Sequence, residues 1–167
     1  MTVLREGALE LRLPEGVQGR KFDDRDHGLS HCMKAVDFIV EDHDQVLFIE
    51  FKDPDHPHAT PDGREAFLKE LLSGGKDDEL VLKYRDSFIY RWAEGAAEKP
   101  ITYCVLIATS RLDEAMLLAR TEELKRKLPV EGPASGAWKR RIVSNCGVFN
   151  LKTWEKHMTR FPVERVG

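Results

Sequence analysis

Hydrophobic and polar positions change their period several times along the chain, and each change marks an element. From Ala8 to Leu13 the period is two, with Leu9, Leu11 and Leu13 on one face and Glu10 and Arg12 on the other. This predicts a first strand that ends at Pro14. Glu15 to Lys34 shows no clean period and predicts a long polar connection reaching over a hairpin. That hairpin is two strand-like runs. Val36, Phe38 and Val40 alternate with Asp37, Ile39 and Glu41, and Val46 to Phe51 is apolar except for Glu50. The polar Asp42-His43-Asp44-Gln45 between them suits a hairpin loop.

The second half alternates helices and strands. Asp53 to Gly63 carries three prolines and predicts a loop, a wall or lid for anything beside Lys52. A helix is expected from Arg64 to Leu72, stopped by Gly74-Gly75. A second helix, Asp77 to Glu94, opens on three acids and carries its cations later, the order that the helix dipole favours. Its buried stripe reads as Leu80, Tyr84, Phe88 and Trp92. Ile101 to Ala108 is almost wholly apolar and predicts a central strand covered on both faces. Asp113 to Leu128 predicts an amphipathic helix closed by Pro129, and Val130 to Gly136 a loop. Arg141 to Phe149 predicts a last strand, followed by a helix over Leu151 to Met158 that Asn150 caps. Hairpins first and alternation afterwards define a mixed α/β fold.

Composition narrows the class. The 167 residues are 41% hydrophobic and 33% charged, which favours one globular domain. No apolar run approaches the roughly 20 residues that span a bilayer, and Met1 to Glu6 does not read as a signal peptide. Cys32, Cys104 and Cys146 are dispersed and odd in number, which argues against a disulfide framework and for a reducing cytoplasm. With a net charge of −3, any attraction to nucleic acid must come from a local patch.

The chemistry concentrates in the hairpin of Asp37 to Lys52. If its loop is centred between His43 and Asp44, paired residue numbers sum to 87 and Asp37 lies opposite Glu50. Directly opposed side chains share a face with Cβ atoms about 5 Å apart. Two carboxylates there repel by about 3 kcal/mol at an effective dielectric of about 20. Such a pair needs a cation. Lys52, on the same face as Glu50 at strand period, is one candidate and a divalent metal is another.

Asp37, then Glu50-Phe51-Lys52, then a helix and an apolar strand resemble the PD-(D/E)XK nuclease superfamily, which has the restriction-endonuclease-like fold. The resemblance covers roughly Ala35 to Ala108. Val36 stands where the motif that names the family has proline. The resemblance implies a mixed central sheet flanked by helices and a metal-dependent nuclease acting on DNA ahead of RNA. Asp37, Glu50 and Lys52 are then the catalytic residues. Asp37, Glu50 and the Phe51 backbone carbonyl would hold Mg²⁺, with Mn²⁺ as a substitute. Lys52 would orient or deprotonate the attacking water, its pKa lowered by the metal, and would stabilise the phosphorane charge. Such nucleases often carry another acid on a helix ahead of the hairpin; Glu10, Glu15, Asp23, Asp24 and Asp26 are the substitutes here. One chain offers one cutting centre, which points to a homodimer for cutting a duplex.

Several features carry two readings. Lys83, Ser87 and Arg91 form an i, i+4, i+8 row on the second helix. Either it is a solvated face, or Lys83 and Ser87 bind substrate phosphate. The runs Lys125-Arg126-Lys127 and Lys139-Arg140-Arg141 are ordinary surface or a track for a phosphate backbone. His27, His31 and Cys32 have partial zinc spacing, and His56 and His58 fall in the expected lid. No phosphate-binding glycine loop, Gly-X-Ser-X-Gly or Cys-X-X-Cys is present. The alternative to a nuclease is a catalytically inactive binding or assembly module on the same fold.

Overall fold

The hairpin forms in the expected register. In a computed structural model that describes residues 1–167, Phe38↔Ile49, Ile39↔Phe48, Val40↔Leu47 and Glu41↔Val46 are paired, each summing to 87. The two strands are β4 (Phe38–Glu41) and β5 (Val46–Lys52). They lie within a five-stranded mixed sheet completed by β3 (Gln18–Lys21), β6 (Ile101–Ile107) and β7 (Asn145–Phe149), in the order β3-β4-β5-β6-β7. The β3-β4 and β4-β5 pairs are antiparallel, whereas β5, β6 and β7 run parallel. The apolar Ile101–Ile107 run is central, as its composition predicts.

A second sheet covers one face. The strands β1 (Thr2–Glu6), β2 (Leu9–Leu13) and β8 (Val163–Arg165) form it in the order β1-β2-β8. Leu9, Leu11 and Leu13 point inward as their alternation requires, meeting Phe38, Val40, Leu47 and Ile49. Helix α4 (Leu151–His157) completes this side with Trp154. Helices α1 (Pro61–Leu72), α2 (Asp77–Ala93) and α3 (Glu114–Lys127) contribute Leu68, Leu71, Leu80, Tyr84, Leu117 and Leu124 to the core on the other face. The architecture is thus mixed α/β with two sheets and four helices. The expectation of one sheet flanked by helices missed the three-stranded layer. Two of its strands, β1 and β8, are short and largely exposed, and so have no buried face to imprint a pattern.

Other departures have equally local causes. The patternless Glu15–Lys34 stretch contains β3, an edge strand of four mostly exposed residues, and a single 3₁₀ turn at Arg25–His27. Helix α1 starts at Pro61 rather than Arg64. Proline suits the first helical position, where its missing N–H is no loss, and the Thr60 Oγ1 caps by accepting from the Gly63 N–H at 3.0 Å. Strand β7 begins at Asn145, four residues later than Arg141. Helix α4 has the expected Asn150 cap, reinforced by the Thr153 side chain in a capping box. All three cysteines are free, and burial pushes the Cys104 thiol up to about 12 and the Cys146 thiol up to about 11. No helix is long and apolar enough to cross a membrane.

The expected buried stripe of α2 is corrected at its end. Leu80 and Tyr84 are buried, but Trp92 is 67% exposed. Steps of four residues advance 400° around a helix with 3.6 residues per turn, so Trp92 has drifted about 120° from Leu80. The spacing that stays under the core is Leu80, Tyr84, Ser87 and Arg91, all four of which are buried.

Candidate functional site

Asp37 immediately precedes β4, and Glu50 lies near the end of β5, so antiparallel pairing brings them to one end of the sheet. Both carboxylates are buried: Asp37 is 5% and Glu50 1% exposed. They interlock through the backbone. The Asp37 N–H donates to Glu50 Oε2 at 3.3 Å, and the Phe51 N–H donates to Asp37 Oδ2 at 2.7 Å. No protein donor engages Asp37 Oδ1.

The cation demanded by the acid pair is supplied twice. Lys83 Nζ lies 2.7 Å and Lys52 Nζ 3.1 Å from Glu50 Oε1. Lys52 is shared with Glu79 on α2, at 3.1 Å. The Lys83–Ser87–Arg91 row therefore turns inward against the end of β4 and the edge of the sheet. Lys83 holds Glu50, Ser87 Oγ accepts from the Val36 N–H at 3.0 Å, and Arg91 pairs with Glu41. The solvated-face reading of the row is overturned: the Lys83 side chain is only 11% exposed, and Ser87 and Arg91 are buried. Ser87 spends its oxygen on the backbone just ahead of Asp37, so its observed contact is with the chain itself.

Protonation follows from these contacts. Burial, and then the charge of Glu50, push the Asp37 carboxyl up to about 7, against the pull of the Phe51 N–H and Lys83. Burial raises Glu50 as well, although Lys52 and Lys83 draw it back toward ionisation. Asp37 has no cation within hydrogen-bond reach, whereas Glu50 has two, so nothing in the chain offsets the burial of an ionised Asp37 as the lysines do for Glu50. Burial alone lowers the Lys52 pKa, but Glu50 and Glu79 outweigh it and hold the ammonium above its ordinary value. In this arrangement Lys52 is a cation held between Glu50 and Glu79.

Two carboxylates with a free lone pair on Asp37 suit a hard cation that takes oxygen ligands and retains waters. Phe51 contributes further. Lys52 C=O accepts from the Ala108 N–H on the β6 side, so strand alternation turns the Phe51 N–H and C=O to the other edge, where Asp37 lies. No group of three or more His, Cys, Asp or Glu side chains is gathered as a cation cage. Among the upstream acids, Asp24 accepts from the N–H groups of Asp26 and His27 as a cap, and Glu10 pairs with Arg5. Asp23 approaches through its backbone N–H, 3.5 Å from the Asp37 carbonyl oxygen.

Two carboxylates escaped the sequence reading. Glu6, paired with Lys21 at 2.6 Å, adds its field to Asp37. Glu79 was legible in principle, since it stands four residues before Lys83 on the same helix face. The histidines go elsewhere. His27 Nδ1 accepts from the Leu29 N–H, and its ring stacks on Tyr90 with Phe22 edge-on. His56 lies beside Gly7 with His58 next to it, in the loop following Lys52.

The molecule is a mixed α/β protein with a buried acid pair, one member of which is clamped by two lysines, where the start of β4 meets the end of β5. Compared with protein-family profiles, curated proteins and solved structures, the chain matches none.

Proposed function

We propose that the chain is a metal-dependent nuclease of the PD-(D/E)XK type, with a restriction-endonuclease-like core, that hydrolyses phosphodiester bonds in DNA. The observation that carries this is the Asp37–Glu50 pair, two buried acids facing each other with Lys52 and Lys83 on one of them. A structural ion pair would need one acid and one base. Here a second carboxylate is buried beside the first with no cation of its own, its ionisation opposed by burial and by Glu50, and a bound cation would favour the ionised form. The order of acid, Glu-X-Lys strand, helix and parallel strand agrees with the resemblance seen in the sequence.

Asp37, Glu50 and the Phe51 carbonyl would hold Mg²⁺ or Mn²⁺. Such an ion polarises a phosphoryl oxygen and makes bound water more acidic. Lys52, kept cationic by Glu79, opposes the negative charge that develops on the phosphoryl oxygens and orients the incoming water. Lys83 holds Glu50 and, with Ser87, would lie on the side of α2 that meets a substrate phosphate. Cutting both strands of a duplex would require two such chains.

The test is incubation of the protein with plasmid and with single-stranded DNA in Mg²⁺ or Mn²⁺. Cleavage that disappears in a Glu50→Ala, Lys52→Ala variant is the expected result. No cleavage by the wild type, or equal cleavage by the variant, overturns the proposal. The second reading, an inactive nuclease-fold binding or assembly module, is favoured by the two ammonium groups that already satisfy Glu50. It predicts no heat on metal titration.

A further inference from the structure

The two basic runs of the sequence have opposite fates. In Lys125-Arg126-Lys127, every cation is paired within the chain, with Glu122, Glu123 and Asp77 respectively. In Lys139-Arg140-Arg141, only Arg140 is paired, with Glu98 at 3.3 Å, and Lys139 and Arg141 meet no carboxylate. In a chain of net charge −3, two neighbouring unneutralised cations form a local positive spot.

The residue ahead of them is Trp138, 40% exposed in a loop that is otherwise polar or small. Its ring is seated, not loose. A Cβ built on Gly132 would come within 3.3 Å of Trp138 Cβ, Cδ2 and Cε3, so the missing side chain at Gly132 is what lets the indole lie against the loop. Gly136, at φ +69°, makes the turn that brings Trp138 back over Gly132. Trp138, Lys139, Arg140 and Arg141 line one shallow cavity of about 340 Å³. Trp138 stacks on no other aromatic ring of the protein.

The loop is also tied to the site. Tyr84 Oη donates to the Ile142 carbonyl at 2.6 Å, and Tyr84 directly follows Lys83, which holds Glu50. Loop and acid pair are thus braced on the same turn of α2, by two adjacent residues about 100° apart around the helix. An aromatic face beside unpaired cations is the arrangement that binds a base and its flanking phosphates.

We infer that Gly132 to Arg141 is a contact for single-stranded nucleic acid, with one base stacked on Trp138 and adjacent phosphates held by Lys139 and Arg141. This rests on the nuclease reading for its biological sense but not for its test. The positions are exposed, and circular dichroism of each variant checks that the fold is kept.

The experiment is fluorescence anisotropy with a labelled 15-nucleotide oligothymidylate and, in parallel, oligouridylate, in EDTA so that binding is read without cleavage. Wild type binds at low salt. Trp138→Ala weakens binding about tenfold or more, and Trp138→Phe restores most of it. Lys139→Gln with Arg141→Gln reduces the slope of log affinity against log salt by about 1.4. Trp92→Ala, the other exposed tryptophan, changes nothing. Absence of wild-type binding to both oligomers, wild-type affinity in Trp138→Ala, or an equal loss in Trp92→Ala overturns the inference. Binding that depends on Trp138 without cleavage in Mg²⁺ overturns the nuclease reading alone. Cleavage with Trp138-independent binding overturns this inference alone.

Discussion

Lys83 Nζ stands 2.7 Å from Glu50 Oε1, closer than the 3.1 Å of Lys52, the lysine of the motif. The nearest cation to the central acid thus comes from a helix that begins 25 residues beyond Lys52, at Asp77. Replacing Lys83 by methionine keeps the aliphatic stem and removes the charge. Glu50 retains Lys52, so the expected loss is about 2 kcal/mol rather than the larger figure for a fully orphaned buried charge. Urea denaturation at neutral pH checks this, and a stability equal to wild type would show that Lys83 is not a structural counter-ion of Glu50.

Asp37 predicts a pH dependence of defined sign. Its carboxyl titrates near 4 in the unfolded chain and near 7 in the folded one. Between those values the folded protein binds more protons, so this group's contribution to stability is full below about 4 and falls as pH rises through 7. Asp37→Asn cannot ionise. Its stability relative to wild type should therefore rise from pH 4 to pH 8, by an amount on the order of 3–4 kcal/mol. Parallel stability curves for the two proteins across that range would contradict the assignment.

Ser87 is buried and offers its oxygen to the Val36 N–H, one residue ahead of Asp37. Ser87→Ala leaves that buried donor unpaired, an expected cost of about 1–2 kcal/mol. Faster hydrogen exchange at Val36 should accompany the lost stability. An unchanged exchange rate at Val36 would mean that the hydroxyl does not hold this segment.

Glu79 is half exposed and tethers Lys52 at 3.1 Å. Glu79→Gln should leave global stability within about 0.5 kcal/mol of wild type, as for most surface changes. On the nuclease reading proposed above, it should slow single-turnover DNA cleavage by roughly tenfold, the amount expected of a lost charge that positions another group. The loss should vanish when Lys52 is already alanine. A full additional loss in the double variant would mean that Glu79 acts by some other route.

The hairpin, its register and the face shared by Asp37 and Glu50 were legible because their signals are local. Two apolar runs joined by a short polar loop pair in the register that the loop length sets, and both faces of the resulting hairpin are buried. The Asn150 cap is likewise a matter of neighbouring atoms. Strands β1, β3 and β8 left no pattern because edge strands of exposed residues satisfy no burial constraint. What only tertiary structure decided is the direction of α2. Lys83, Ser87 and Arg91 have the spacing of any exposed polar row, and nothing local says which way the helix is rotated. Packing of Leu80 and Tyr84 onto the sheet sets that rotation and carries the polar row with it onto the buried acids. Charges that look unpaired along the chain meet their partners only when the helix docks. The acid pair was therefore written in the sequence, and the lysine from α2 that neutralises it was chosen by the fold.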